Sequence, residues 1–239
     1  MRQVHLIETA AAITRQEVEG CHVLVMDVLR ATSTILTALA NGAKSVIPVE
    51  TVEEALRLKA QQPDCLLGGE RGGIRPEGFD CGNSPLEYTE ASVCGQTVIL
   101  TTTNGTRALV GCRSAGAASV GCAGFLNGDA AVRRLLARAG DLALVCAGTK
   151  DRFSLDDFLC AGMLIQRICQ AEIVNLSDMG WNALLMYKAY GDKLAEALAH
   201  ARHYQVLQGL GFSADLVYCL TKNRLDIAPE YDGREIRIG

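Results

Sequence analysis

Chemically reactive side chains follow the first strong strand-like run of the sequence. Residues 23–27 (VLVMD) end on Asp27, and Arg30, Thr32 and Ser33 come shortly afterwards. A carboxylate at a strand end can bind Mg²⁺ or act as a nucleophile or base, and a guanidinium can hold an anion through paired N–H donors. A buried Asp27–Arg30 ion pair with ordinary helix caps is the alternative. The chemical interpretation makes these four side chains candidates for a site that handles an anion.

A second strand-like run ends in an unusually long polar stretch. Residues 97–101 (TVILT) run into TTNGT, and the apolar pattern then resumes. In open parallel sheets, ligands bind where strand ends turn into helix N-termini, whose unpaired N–H groups attract anions. Gly105 would let the backbone approach a ligand closely, and Thr103, Asn104 and Thr106 would supply small polar groups. Helix capping is the alternative, but it needs one residue and leaves the length of the stretch unexplained.

A long glycine-rich loop, GGERGGIRPEGFDCGNSP at residues 68–85, follows a third strand-like run. Long ordered loops are commonly functional, so Glu70, Arg71, Asn83 and Ser84 are candidate ligand contacts. The loop lacks the GxxxxGK[ST] pattern of a phosphate-binding loop. The chain also has no GxGxxG dinucleotide fingerprint opening a helix after its first strand, which argues against a nicotinamide enzyme.

The fourth candidate segment is CAGTKDRFSLDDFLCAG, residues 146–162. Cys146 and Arg152 have the C-x5-R spacing of thiolate phosphatases, although Val145 stands where those enzymes carry histidine. A cysteine nucleophile is therefore an alternative mechanism. Asp156 begins a helix, where the dipole favours carboxylates in any case. None of the four histidines lies in these loops, and we expect His203 on the surface.

Strands and helices alternate along the chain and must position these loops. Apolar runs predict strands at 23–27, 45–49, 65–68, 97–101, 118–122 and 142–147, and helical spacing predicts helices at 51–62, 127–139, 154–170, 178–201 and 203–220. Such strands indicate an α/β fold with a largely parallel sheet flanked by helices. A shift of 74 residues places GAKSV on GAASV. We therefore expect a single domain, 1–239, with duplicated strand-loop-helix-strand units in two related halves (about 1–95 and 96–239) and the site between them.

Composition excludes several classes of partner. The net charge of −4 and the pI near 5.6 leave no basic footprint for nucleic acid. No apolar run is long enough to predict a membrane span, and the N-terminal segment lacks the apolar stretch of a secretory signal. The ten cysteines show no CxxC or zinc-ligand spacing. We expect a cytoplasmic protein with reduced cysteines that forms a homodimer.

Four motifs stand in the order DVLRATSTI, GERGG…GFDCGNSP, TTNGT and CAG…SLDD…AG. With these motifs, and over nearly its whole length, the chain resembles the 2-phosphosulfolactate phosphatase (ComB) family. The segment DLVYCLTKNRLDIAPEYDG resembles that family's ending. The resemblance implies an α/β fold of its own kind and a Mg²⁺-dependent acid phosphatase of the coenzyme M pathway. Such an enzyme hydrolyses (2R)-phosphosulfolactate to (2R)-3-sulfolactate and phosphate.

The resemblance also implies roles for the candidate residues, because a small anionic phosphorylated substrate needs anion-binding groups and a metal. The catalytic set is Asp27, Arg30, Glu70 and Arg71. The substrate-binding set is Thr32, Ser33, Asn83, Ser84, Thr103, Asn104, Gly105, Thr106, Cys146 and Arg152. The metal set, for Mg²⁺, is Asp27, Glu70 and Asp156. Asp27 is either ligand or nucleophile, and the absence of a DxD pattern disfavours an aspartyl-phosphate.

Two alternative functions remain open at this point. The substrate could be another small phosphorylated acid, or the chain could be a non-catalytic α/β module that binds a phosphorylated metabolite. The module would bind anions without releasing phosphate, and it would not require the carboxylates of Asp27 and Glu70.

Overall fold

The computed structural model describes residues 1–239, and ten strands form one sheet. They are β1 (Arg2–Ile7), β2 (His22–Met26), β3 (Ser45–Val49), β4 (Leu66–Gly69), β5 (Thr97–Thr101), β6 (Ser119–Ala123), β7 (Leu142–Cys146), β8 (Val174–Leu176), β9 (Pro229–Tyr231) and β10 (Ile236–Ile238). The α-helices are α1 (Arg15–Val18), α2 (Ala31–Ala40), α3 (Val52–Gln61), α4 (Glu90–Val93), α5 (Gly105–Ser114), α6 (Gly128–Leu136), α7 (Leu155–Ala171), α8 (Asp178–Tyr190), α9 (Leu194–Leu198), α10 (Arg202–Gly209) and α11 (Ser213–Cys219).

The sheet consists of two parallel groups joined by an antiparallel hairpin. Its strand order is β4-β5-β3-β10-β9-β6-β2-β7-β1-β8. Strands β4, β5 and β3 are parallel to one another, as are β6, β2, β7, β1 and β8. The hairpin β9–β10 pairs antiparallel to β6 on one side and to β3 on the other. The two parallel groups therefore run in opposite directions, and the α/β class with a largely parallel sheet is confirmed.

Alternating side chains of the central strands pack into separate cores on the two faces of the sheet. Leu24 and Met26 of β2 join one hydrophobic cluster, whereas Val23 and Val25 join the other. All five residues of β7 are buried. Since both faces of these strands are covered, the sequence shows continuous apolar runs instead of alternation.

The predicted strands agree with the structure to within about one residue at each end, and β3 and β5 agree at both ends. The two predicted C-terminal helices are each broken. The first divides into α8 and α9 around a short turn at Gly191–Lys193, and the second divides into α10 and α11 at Gly211, which has φ +88°. The strand β1 and the three-residue strands β8 and β9 were not predicted. None of the helices is long and apolar enough to cross a membrane.

Two successive runs of elements have the same order, β2-α2-β3-α3-β4 and β5-α5-β6-α6-β7. Their strands take mirrored places on either side of the hairpin. The spacing of 74 residues holds for α2 and α5 and for β3 and β6, and it is 75 for β2 and β5. Duplication, and the division into halves at about residue 95, stay predictions. The arrangement brings α2 and α5 into contact on one face of the sheet.

Candidate active site

Asp27 follows β2 directly, and its carboxylate is buried. The residue is 7 % exposed, and Oδ1 accepts a hydrogen bond of 3.1 Å from the Ala31 N–H at the start of α2. Oδ2 accepts no hydrogen bond from the protein. A Cβ atom added at Gly105, the first residue of α5, would stand 2.8 Å from this oxygen. The free carboxylate oxygen therefore lies where the beginnings of α2 and α5 converge.

Two more carboxylates lie at the start of α7, after β7. Asp157 accepts hydrogen bonds from the Val28 N–H at 2.8 Å and the Gly148 N–H at 3.0 Å, which ties the loops after β2 and β7 together. Asp156 accepts a hydrogen bond of 2.6 Å from the Ser154 hydroxyl on Oδ1, and its Oδ2 accepts none. Both side chains are buried.

These acidic groups influence one another electrostatically. Burial raises the pKa of the Asp27 carboxyl to about 6, although the hydrogen bond from Ala31 opposes the rise; the negative charges of Asp156 and Glu70 add to it. Burial, with the charges of Asp156 and Asp27, raises the pKa of Asp157 well above its usual range. The end of β2 is therefore a place where negative charge is concentrated and a cation would be stabilised.

The donor set at this place suits Mg²⁺, which prefers oxygen ligands and is usually bound by one or two carboxylates together with substrate phosphate and water. Asp27 and Asp156 each keep one carboxylate oxygen without a hydrogen-bond donor from the protein. No group of three or more His, Cys, Asp or Glu side chains is arranged to hold a metal ion. The predicted set of Asp27, Glu70 and Asp156 is thus not gathered around one point, and the metal itself stays a prediction.

Glu70 lies after β4 and organises two loops. Its Oε2 accepts from the Gly73 N–H at 2.7 Å, and its Oε1 accepts from both the N–H and the hydroxyl of Thr103 at 2.9 Å. The residue is 8 % exposed. Two hydrogen bonds from the predicted substrate contact Thr103 therefore connect the polar stretch after β5 to Glu70, and the bond from Gly73 closes the glycine-rich loop on itself.

The polar stretch after β5 is explained largely by contacts of this kind. The Thr102 hydroxyl accepts from the Thr106 N–H at 3.2 Å, and the Thr106 hydroxyl donates back to the Thr102 carbonyl at 3.0 Å. The Asn104 side chain accepts from the Lys150 N–H at 3.1 Å. Gly105 makes the close approach to Asp27. The stretch therefore joins the loops after β2, β4 and β7 around Asp27.

Arg30 defines the other end of the candidate site. Its Nη1 donates to Asp215 Oδ2 at 2.6 Å, its Nη2 donates to the Gly73 carbonyl at 3.2 Å, and its guanidinium carbon lies 3.9 Å from the centre of the Phe212 ring. The Ser84 hydroxyl donates to Asp215 Oδ1 at 2.7 Å. The predicted residues Arg30 and Ser84 are thus brought together by a carboxylate that the sequence did not single out.

Asn83 lies next to Ser84 and is 6 % exposed. Its backbone carbonyl accepts from the Thr34 hydroxyl at 2.9 Å, whereas its side-chain Oδ1 is buried without a hydrogen-bond partner. A buried amide oxygen without a partner is costly, so this position favours a bound ligand or water.

Arg71 donates to two backbone carbonyls and one hydroxyl of the protein. Its Nη2 donates to the Glu50 carbonyl and the Thr101 hydroxyl, each at 2.8 Å, and its Nη1 donates to the Glu70 carbonyl at 2.7 Å. These bonds fix the ends of β3, β4 and β5 relative to one another. Its predicted role in catalysis stays a prediction.

Two of the four remaining candidates make local contacts at the start of α2, and the other two lie in the core and at the surface. The Thr32 hydroxyl donates to the Asp27 carbonyl and the Ser33 hydroxyl to the Val28 carbonyl, so both stabilise the start of α2. Cys146 lies in the hydrophobic core, where burial raises the pKa of its thiol well above its usual range. Arg152 is exposed. The structure therefore gives no support to a thiolate held beside this guanidinium.

Sequence reasoning missed several residues of the site. His203 was expected on the surface, but its Nε2 lies 2.7 Å from the Leu29 carbonyl oxygen and its charge acts on Asp27. Asp215 opens the segment that resembles the family ending, which was the available signal for it. Phe212 had no such signal, because its role depends on how α10 and α11 pack over Arg30.

Comparison with known proteins shows the family of the chain. The family model described as 2-phosphosulpholactate phosphatase matches residues 7–234. A probable 2-phosphosulfolactate phosphatase of Clostridium perfringens is 42 % identical over 239 residues, covering 98 % of this chain and 96 % of the relative. One of Symbiobacterium thermophilum is 45 % identical over 219 residues, covering 90 % and 93 %. The chain therefore belongs to the 2-phosphosulpholactate phosphatase family and is a phosphoric monoester hydrolase.

Proposed function

We propose that this chain hydrolyses (2R)-phosphosulfolactate to (2R)-3-sulfolactate and phosphate, with Mg²⁺ as its cofactor. Membership of the family supports the reaction, and the relatives are named for this substrate. The observation that carries the proposal is that one site combines groups for a cation with groups for an anion. Asp27 and Asp156 offer free carboxylate oxygens to a cation, and Arg30 offers donors to an anion.

The charges of the site explain why a cation would be needed. The substrate carries a phosphate, a sulfonate and a carboxylate, whereas the end of the site at Asp27 is itself acidic. Mg²⁺ held by Asp27 and Asp156 would offset the charge of the phosphate and polarise it. Asp157 and Glu70 hold the surrounding loops, through the backbone N–H groups of residues after β2, β4, β5 and β7.

Phosphate release tests the proposal directly. Phosphosulfolactate, phospholactate and p-nitrophenyl phosphate are each incubated with the protein in Mg²⁺ and in EDTA. We expect release from phosphosulfolactate that EDTA abolishes and added Mg²⁺ restores. Release only from phospholactate would favour the alternative substrate, another small phosphorylated acid. Folded protein that releases phosphate from none of the three would contradict the proposal.

Asp27→Asn provides the matched variant for the carboxylate end. We expect a loss of kcat of about a thousandfold or more, because the change removes one charge and one cation ligand at the reacting group. Asp226→Asn is the control, since Asp226 is highly exposed and pairs with Arg133 on the surface. Equal activities of the two variants would remove Asp27 from the site.

The resemblance also supports a wider setting, in which the product sulfolactate serves coenzyme M biosynthesis and the enzyme is a cytoplasmic homodimer. Deletion of the gene should then create a requirement for sulfolactate or coenzyme M. Light scattering on the purified protein should give twice the chain mass. A monomer, or growth without the supplement, would contradict these proposals.

A further inference from the structure

The protein contacts of the Arg30 guanidinium do not include the carboxylates of Asp27 and Asp156. They are the Gly73 carbonyl in the glycine-rich loop and two residues at and within α11, Phe212 and Asp215. Arg30 therefore forms a second centre within the site.

Both carboxylate oxygens of Asp215 are engaged in holding this second centre. It is 3 % exposed, and its two oxygens accept from Arg30 and from Ser84. A buried ion pair costs desolvation and adds little net stability, so stability alone is a weak reason for placing one here. Its effect is to give a planar guanidinium a single orientation, with the Phe212 ring against its face.

Donors remain available on Arg30 after these contacts are made. A guanidinium has five N–H groups, and the Nε–H of Arg30 has no acceptor within the protein. On the residue next to Ser84, the Asn83 side chain is more than nine-tenths buried and its Oδ1 has no partner. Unused polar groups of two side chains thus occur at the same end of the site, as in a binding site for a polar ligand.

We propose that Asp215 is a positioning residue for Arg30, and that Arg30 forms a subsite for an acidic group of the substrate other than its phosphate, while Asn83 Oδ1, an acceptor, takes a hydrogen bond from water bound beside that group. The inference rests on the proposed function, in which that group is the sulfonate or carboxylate of phosphosulfolactate. A fixed guanidinium matches either oxyanion. The subsite would set specificity, because a phosphate ester without a second acidic group gains nothing from it.

Kinetics with Asp215→Asn test the proposal. The change keeps the shape of the side chain and removes the charge that orients Arg30. For phosphosulfolactate we expect kcat/KM to fall at least tenfold, mainly through KM, whereas for p-nitrophenyl phosphate it stays within about twofold. In an Arg30→Gln background, Asp215→Asn should add less than twofold, because the two residues act as a unit. Equal losses on both substrates, or additive losses, would overturn the proposal.

Phospholactate identifies the acidic group. A loss that persists with phospholactate assigns the subsite to the carboxylate, and a loss confined to phosphosulfolactate assigns it to the sulfonate; both support the subsite. Glu230→Gln is the matched control, since Glu230 pairs with Arg138 and Arg134 away from the site. We expect its KM values to equal those of the wild type.

A binding experiment separates this proposal from the proposed function. Calorimetry with 3-sulfolactate, which has no phosphate and needs no turnover, should show binding to the wild type that weakens at least tenfold in Asp215→Asn. If the wild type releases no phosphate but this difference is found, the subsite stands and the proposed reaction falls. If wild type and variant bind sulfolactate equally, or the wild type does not bind it, the subsite is overturned. Should Asp215→Asn not fold, Phe212→Leu takes its place with the same expectations.

Discussion

Gly105 and Asp27 are in direct contact, although they follow strands that belong to different parallel groups of the sheet. A Cβ atom at Gly105 would stand 2.8 Å from Asp27 Oδ2 and 2.6 Å from the Cβ of Ala31. Both distances are shorter than ordinary van der Waals contact. The beginning of α5 can approach the Asp27 carboxylate only because residue 105 has no side chain.

Gly105→Ala should therefore impair activity far more than an alanine in a helix normally would. The added methyl group must displace Asp27 or α2, so we expect a loss of about 1–3 kcal/mol in the free energy of unfolding and a fall of at least tenfold in kcat. Gly111→Ala, in the same helix, is the control. Its Cβ would lie 3.4 Å from the end of the Ile13 side chain, and we expect unchanged kinetics and stability equal to or above that of the wild type. Urea unfolding and steady-state assays measure both effects.

The buried Asp27 should make the metal-free protein less stable as pH rises. Burial raises its pKa from 3.8 to about 6, so the folded protein holds this proton more tightly than the unfolded chain does. The corresponding stability is present below the unfolded pKa and is lost as pH rises through about 6. In EDTA, the free energy of unfolding of Asp27→Asn should then exceed that of the wild type by up to about 3 kcal/mol at pH 7.5, and by less at pH 4.5. A difference that does not change with pH would contradict this.

Cysteine alkylation should distinguish the buried thiols from the exposed ones. Cys94 and Cys169 are exposed, whereas Cys146 is buried. We expect iodoacetamide to modify the two exposed residues in the native protein, as mapped by mass spectrometry, with phosphatase activity unchanged. Labelling of Cys146 accompanied by inactivation would restore the cysteine nucleophile as the mechanism.

Thr103→Val should weaken the support of Glu70 without removing it. The variant keeps the backbone N–H donor to Glu70 and loses the hydroxyl donor. We expect a fall in kcat/KM of about ten- to a hundredfold, the equivalent of one hydrogen bond to a charged group. Thr221→Val serves as the control, since Thr221 lies two residues beyond the end of α11 and its exposed hydroxyl donates to the Val217 carbonyl. Unchanged kinetics in Thr103→Val would show that this bond does not organise the site.

The sequence was sufficient for the elements whose signal is local. Strands β3 and β5 were predicted at both ends, because each is a short apolar run between turn residues. The long helix α7 was predicted to within one residue at each end, from the helical spacing of residues 154–170. The loops containing Asp27, Glu70 and Thr103 were identified because polar and glycine residues directly follow such strands.

What could not be predicted depends on contacts between distant residues. Strand β8 has three residues and is recognisable only by its pairing with β1. The antiparallel position of β9 and β10 depends on register with β6 and β3. For the same reason the Arg30–Asp215 pair, 185 residues apart in sequence, had no local signature, and the ion pair considered as an alternative at the sequence level was Arg30–Asp27.

The position of the hairpin has a consequence for how the protein is made. Residues 229–238 lie in the middle of the sheet, and no strand of the first parallel group pairs with a strand of the second without them. Until residues 229–238 have been synthesised, β3 of the first parallel group and β6 of the second each keep one edge without a partner strand. While this segment is missing, the two open edges can pair with other chains, so the yield of folded protein should depend on chaperones that shield β3 and β6.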